Sequence, residues 1–284
     1  MPSNASWFTT EGAPHPAPMT HDSRPTIVFL HGTRLTGSQW AAQVAALQDE
    51  FHCLAPDLPG HGAASAVPFT LDEAARRVAE LIAAEAHDGR AILVGLSLGG
   101  FVAMTVAERW PERVTALVLS GASGDPVGVR SLAYRGLAAA FAFGPTPVLV
   151  AVDRRFVRWR FGAVVAESVL AGGLWHRSGV PALRSLVGRR FSRQLAAYPG
   201  PVLVLNGELD LFFRLTEPAF LRSIGQPTRV LIRRATHLAN LDQPEAFTAA
   251  VRAFARKVQA DAGSVGSRAA GGPMVSSGDR PTPS

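Results

Sequence analysis

Ala91-Ile92-Leu93-Val94-Gly95-Leu96-Ser97-Leu98-Gly99-Gly100 is an apolar run that ends on a serine set between glycines, and Phe101 to Arg109 follow with a helical pattern. The order is strand, tight turn, helix. In a chain rich in Gly and Ser the five-residue pattern G-x-S-x-G alone means little, because it arises by chance. Its position between an apolar strand and a helix gives it meaning, since this is the context a nucleophile elbow requires. Side chains larger than hydrogen at the flanking glycines would clash as the helix folds back on the strand. The serine hydroxyl then stands clear of the sheet, and the free N–H groups of the helix start point toward whatever it meets.

Working outward, the same type of position recurs. Asp210 follows the apolar run Val202-Leu203-Val204-Leu205 through Asn206-Gly207-Glu208-Leu209, and His237 follows Val230-Leu231-Ile232 through Arg233-Arg234-Ala235-Thr236. Ligand sites in open α/β sheets lie at the strand C-termini, so Ser97, Asp210 and His237 are expected to converge there. The chemistry needs all three. A serine hydroxyl is a weak nucleophile and requires a base, which an imidazole supplies near neutral pH. A carboxylate holds that imidazole in one tautomer and stabilises its transient charge. The backbone N–H of Leu98, at the helix start, and that of Thr33, after His31-Gly32, are the expected donors to a developing oxyanion. Glu208 and Asp125 are competing acid positions. Asp57 and Asp242 are read as turn and helix caps, and His31 and His61 as residues that fix loop geometry.

The remaining strands are Thr26–Leu30, a continuous apolar run typical of a strand buried on both faces, Phe51–Ala55, a second strong strand, and the apolar Val114–Leu119. Helices alternate with them. One starts near Ser38 and carries Trp40, Val44 and Leu47; a second is capped by Thr70, with Glu73 completing a capping box. This rhythm predicts a parallel sheet with helices on both faces. It stops between Gly121 and Tyr198, where only helical pieces and Gly or Pro breaks occur, and resumes at Pro201. Residues 121–198 therefore read as a helical insertion over the strand C-termini, between core segments 25–120 and 199–260. Residues 1–24 read as a mobile leader with a short strand near Trp7–Thr10, Pro244–Val258 as the last helix, and 261–284 as a disordered tail.

Composition narrows the class. The 284 residues carry a net charge of +6 and a single cysteine, Cys53, so an internal disulfide framework is excluded. Cys53 lies in a predicted buried strand and is read as a packing residue. The sequence has no metal-spaced Cys/His cluster and no phosphate-binding glycine loop, so neither metal nor cofactor is expected. No recognition module for nucleic acid is present. The longest apolar stretch, Leu137 to Val152, is interrupted by Gly144-Pro145-Thr146-Pro147, so no membrane span is expected. With no signal peptide in view, the cytoplasm is the expected compartment. Segment 121–200 holds eleven arginines and three acids, which gives it +8 and leaves −2 for the rest of the chain.

The set His31-Gly32, Asp57-Leu58-Pro59-Gly60-His61-Gly62, Gly95–Gly100, Gly207-Glu208-Leu209-Asp210 and His237-Leu238-Ala239-Asn240 resembles the α/β-hydrolase fold superfamily in its lidded, single-domain serine hydrolase branch. The resemblance spans about residues 24–258. It implies a mostly parallel eight-strand sheet, with 121–198 as the lid. The family usually opens with an antiparallel hairpin, for which the short, proline-rich leader leaves little room.

A serine at position 97 argues against the dehalogenase and epoxide-hydrolase relatives, which use an aspartate nucleophile. The expected activity is cleavage of a carboxylic ester, with lactone and thioester left open. Haloperoxidase-like or hydroxynitrile-lyase-like chemistry and carbon–carbon hydrolysis are the alternatives on the same triad, and a ligand-binding receptor is the non-enzymatic one. Trp40 fits either the core of its helix or the border of the acyl pocket; Trp159 and Phe161 are further pocket candidates. Arg154, Arg155, Arg158 and Arg160, interleaved with Phe156, Val157, Trp159 and Phe161, form a basic and aromatic surface. That surface is expected to draw an anionic substrate or lean on an acidic surface; the plain alternative is a solvated face whose arginines maintain solubility.

Overall fold

The structure, a computed structural model, describes residues 22–142, 147–225 and 227–270. Six strands form one sheet: β1 (Thr26–Leu30), β2 (His52–Leu54), β3 (Ala91–Leu96), β4 (Val114–Ser120), β5 (Val202–Gly207) and β6 (Thr228–Ile232). Their order is β2-β1-β3-β4-β5-β6 and every pairing is parallel. Each of the six predicted strands is present. The sheet has six strands among the described residues rather than the eight that the resemblance implies. The chain enters it at Thr26 with only residues 22–25 described upstream, so the short strand expected at Trp7–Thr10 lies outside the described residues.

Side chains of a strand alternate between the two faces, and here both faces are covered. Val28, Leu30, Leu93, Leu117 and Val204 pack with α2 (Leu71–Glu85) and α3 (Leu98–Arg109). Ile27, Phe29, Ile92, Val118 and Leu205 pack on the opposite face, against α1 (Ala41–Leu47) and the long C-terminal helix. The cap of α2 is as expected: the Glu73 N–H donates to Thr70 Oγ1 at 3.1 Å. The Glu73 carboxylate turns to Arg76 and Arg77 instead of closing a capping box.

Between β4 and β5 the chain forms α4 (Arg130–Ala142), α5 (Pro147–Arg160), α6 (Ala163–Ala171), α7 (Gly179–Leu186) and α8 (Phe191–Leu195), where only helical pieces were expected. Phe191 and Leu195 join the α2–α3 core, and so do Leu183 and Leu186. After β5 come α9 (Leu211–Arg214) and α10 (Glu217–Ser223); after β6 come α11 (Ala239–Asp242) and α12 (Pro244–Ala270). Helix α12 runs beyond the expected end at Val258 into the stretch read as a tail. No helix of the described residues is long and apolar enough to cross a membrane. The register sets Leu30 beside Gly95, Leu96 beside Ser120 and Gly207 beside Ile232, so the loops leaving β1, β3, β4, β5 and β6 gather at one edge.

Candidate active site

Ser97 sits between β3 and α3 with φ 54° and ψ −114°, a conformation costly for a residue with a side chain. Its N–H donates to Ser120 O at 2.8 Å, which ties the turn to β4. A Cβ on Gly95 would lie 2.4 Å from Gly99 O, and one on Gly99 would lie 2.0 Å from Leu30 O. Both glycines are therefore steric requirements of the turn.

Asp210 and His237 meet as the strand ends predict. His237 Nδ1 lies 2.8 Å from Asp210 Oδ2, and Asp210 is buried. The two loops that carry them are joined: Glu208 N–H donates to Ile232 O at 2.9 Å and Leu209 N–H to Ala235 O at 2.8 Å. Asp242 accepts from both the N–H and the Oγ1 of Thr236 at 2.6 Å, so it fixes the residue before His237. Ser97 and His237 line the same cavity, and among the described residues no hydrogen bond joins the serine hydroxyl to the imidazole. Such bonds are commonly long in unliganded enzymes and tighten around substrate.

Sequence reasoning missed two neighbours of this pair. Phe213, three residues after Asp210, stacks on the His237 ring with centroids 5.4 Å apart and planes 13° apart. Gly121, directly after β4, has φ +56°, and a Cβ there would lie 2.6 Å from His237 Cε1. Its N–H donates to the buried Asn206 Oδ1 at 2.8 Å. Asn206 Nδ2 in turn donates to Ser123 Oγ at 2.8 Å and Glu217 Oε2 at 2.7 Å. Glu217 is 2% exposed and ion-paired to Arg229. The glycine's place at a strand end was visible in the sequence; its contact with His237 is tertiary.

The loop after β1 is held from below by two histidines, as expected. The Nε2 of His31 accepts the Leu58 N–H at 2.9 Å, and its Nδ1 bonds to Gly32 O at 2.9 Å. Those partners select the neutral Nδ1–H tautomer, and burial, reinforced by nearby His61, pushes its pKa down to about 3. Burial lowers that of His61 as well, whose Nε2 accepts the Arg34 N–H at 3.3 Å. Gly32 N–H is taken by Gln39 Oε1, whereas Thr33 lines the cavity. Leu98 is the first residue of α3, a position whose N–H the helix itself leaves free. Asp57 accepts from Gly37 N–H and Ala63 N–H, each at 2.8 Å, the loop role expected of it.

The cavity measures about 640 Å³ and is walled mainly by apolar side chains. Of the three aromatic candidates only Phe161 lines it. Trp40 is fully buried in the core, 5.2 Å from Phe29 and 5.8 Å from Phe247 between ring centroids, so the packing alternative holds. Trp159 is 78% exposed on the outer face of α5 and does not reach the cavity, because the inward face of that helix carries Asp153 and Val157. One polar cluster in the wall was not foreseen. Arg34 Nη1 lies 3.1 Å from both Asp153 Oδ2 and His176 Nδ1, and its guanidinium covers the Phe141 ring at 4.8 Å. It links the loop after β1 to three parts of the insertion.

The competing acids have other partners. Asp125 accepts from Ser192 N–H and Oγ at 2.9 and 2.6 Å, and Glu208 accepts the Arg234 N–H at 2.9 Å. Burial raises the Cys53 thiol to about 11. On α5, Arg158 pairs with Glu167 and Arg160 with Asp242, while Arg154 and Arg155 form no ion pair among the described residues. The Arg160–Asp242 contact, at 2.5 Å, has the closeness of an ion pair without the angles of a hydrogen bond.

The pattern of the alpha/beta hydrolase family matches residues 27–250. A pimeloyl-[acyl-carrier protein] methyl ester esterase of Sodalis glossinidius is 30% identical, the match covering 81% of this chain and 93% of the relative. A 3-oxoadipate enol-lactonase 2 of Acinetobacter baylyi is 25% identical over 82% of this chain and 90% of its own. Among solved structures, a thermophilic esterase from Thermogutta terrifontis, with malate bound, superposes with a TM-score of 0.68 at 28% identity, covering 84% of this chain and 92% of that one. The strand order, the strained serine turn and a family match spanning most of the sequence agree that this chain belongs to the alpha/beta hydrolase family.

Proposed function

We propose that the protein is a serine hydrolase that cleaves a carboxylic ester, or a related lactone or thioester, of a small molecule with a largely apolar acyl part. The observation that carries this reading is the 2.8 Å contact between His237 and the buried Asp210, in the cavity that the strained Ser97 also lines. Ser97 Oγ attacks the carbonyl carbon while His237 Nε2 takes its proton; the imidazolium, stabilised by Asp210, then protonates the leaving alcohol, or the thiolate of a thioester. Water, deprotonated by His237, attacks the acyl-enzyme and releases the acid and the free serine. The N–H groups of Thr33 and Leu98 serve the oxyanion, each contributing about 3–4 kcal/mol to the transition state.

Helices α4–α8, within residues 121–198, act as a lid on the core formed by 25–120 and 199–260. Lactones belong in the reading because an enol-lactonase is similar along most of its length. The arginines of the lid favour an anionic substrate or an acidic surface; equal salt dependence of kcat/KM for neutral and anionic esters would sink that part.

The experiment is hydrolysis of p-nitrophenyl esters of increasing acyl length by the native chain and by Ser97→Ala. Turnover that disappears in the variant supports the serine mechanism, and the preferred length sizes the pocket. Equal turnover by both proteins overturns it. Absence of turnover by a folded native chain redirects the reading to lactone, thioester or carbon–carbon substrates, or to peroxidase or lyase chemistry on the same groups.

A further inference from the structure

Helix α5 presents two faces of different use. Asp153 and Val157 turn inward to the cavity wall. Outward, Val148, Val152, Phe156 and Trp159 recur at helical spacing and are 72%, 56%, 50% and 78% exposed. A stripe of four large apolar side chains in water is costly and marks a contact surface. Arginines border it: Arg155 carries no ion pair among the described residues, and Arg158 pairs only with the exposed Glu167. Phe156 also lines the cavity, as do Leu137 and Phe212, which are 46% and 43% exposed. The stripe is thus continuous with an apolar rim around the cavity mouth.

We infer that this face of α5 docks the enzyme on an anionic phospholipid surface, with the cavity mouth turned toward the bilayer. A helix lying in the headgroup region buries Trp, Phe and Val while its arginines meet lipid phosphates, which satisfies both halves of the stripe at once. A second copy of the chain fits less well, since a two-fold contact would set the arginines of α5 against one another. An acidic protein would answer the arginines but leave the apolar stripe in water. The inference gives a specific partner to the arginine-rich lid proposed above, and it does not depend on the hydrolytic reading.

The test is co-sedimentation of the full chain with vesicles of equal parts phosphatidylglycerol and phosphatidylcholine, and with phosphatidylcholine alone. Binding is expected to the anionic vesicles only and to weaken with salt. The double variant Arg155→Ala/Arg158→Ala should lower the partition coefficient by about 30-fold, from two arginines near an anionic surface. Arg155→Lys/Arg158→Lys should retain most of the binding, and Trp159→Ala should lose about tenfold. Circular dichroism and thermal midpoints certify that each variant is folded. No binding by the folded native chain overturns the inference, as does binding indifferent to both alanine variants. A dimer that Trp159→Ala dissociates would assign the stripe to a second copy, and equal affinity for polyglutamate, insensitive to Trp159→Ala, would assign the arginines to an acidic polypeptide. Ser97→Ala should bind vesicles like the native chain, so failure of the esterase reading and failure of this one are separate results.

Discussion

The ring of Phe213 lies nearly parallel to the imidazole of His237, 5.4 Å between centroids, on the helix that begins directly after Asp210. One short element therefore follows the carboxylate that holds Nδ1 and supplies the wall that limits rotation of the ring. Phe213→Leu keeps much of that wall, whereas Phe213→Ala removes it. The alanine variant should lose about tenfold in kcat with a smaller change in KM, and about 3 kcal/mol of stability. Leucine should restore most of both. Steady-state kinetics on one chromogenic ester with urea denaturation would decide, and an alanine variant with native kcat would show that Asp210 alone orients the imidazole.

Three carboxylates compete for the acid role in the sequence, and their partners separate them. Asp210→Asn should reduce kcat by about 10³–10⁴-fold, because the amide can stabilise the wrong imidazole tautomer. Asp125→Asn and Glu208→Gln should stay within a few fold of native activity. Asp125 nevertheless holds Ser192 through two hydrogen bonds, so its replacement should cost about 1–2 kcal/mol of stability. Parallel kcat and urea midpoints for the three variants test the assignment, and a larger kinetic loss at Asp125 than at Asp210 would reverse it.

Gly121 is constrained both by its φ of +56° and by the 2.6 Å approach that a Cβ would make to His237 Cε1. Gly121→Ala should move the imidazole and strain the backbone, with kcat/KM down by at least about 100-fold and stability down by about 1–2 kcal/mol. Asn206→Ala, which removes the acceptor of the Gly121 N–H, should lower kcat/KM more weakly but cost more stability, since it also leaves buried Ser123 and Glu217 without its donor. An alanine at 121 that leaves kcat/KM intact would show that the ring has room to shift.

The parts of this molecule that could be read in advance share a physical cause. A parallel strand covered on both faces must be largely apolar, so the central strands β1, β3, β4 and β5 stand out as apolar runs, whereas the edge strands β2 and β6 carry His52 and the exposed Thr228 and Arg229. Ser97, Asp210 and His237 each follow the C-terminal end of a strand, so their gathering around one cavity could be expected from strand position. The two tryptophans were not separable. Both occur near apolar neighbours, and only packing decides that Trp40 meets Phe29 and Phe247 while Trp159 meets water. The cluster of Arg34, Asp153 and His176 joins residues far apart in the chain, which no local pattern records. The end of α12 was misplaced because Gly263 and Gly266 are poor helix formers and read as a tail, yet the helix continues to Ala270.

Acid should destabilise the fold in a window set by histidines away from the reacting groups. His31 is held near 3 by burial and the proximity of His61; burial also lowers His61, and His176 is lowered by burial and then by Arg34, against the opposing pull of Asp153. All three folded pKa values lie below the unfolded value, so the unfolded chain takes up protons that the folded one refuses. Stability is then complete above about pH 6.5 and falls as pH decreases, by ~1.4 kcal/mol per pH unit for each histidine that protonates only on unfolding. Between pH 6.5 and about 5.5 the ion-paired carboxylates Glu50, Glu73 and Glu167, whose pKa values are lowered by their arginines, carry nearly full charge in both states and add little to the slope; nearer pH 5 they begin to add in the same direction. Urea denaturation across that interval should show stability declining with pH. His61→Gln, which retains a side-chain acceptor for the Arg34 N–H, should make the decline shallower. A flat profile would mean that the loop after β1 opens to water before the rest of the chain unfolds.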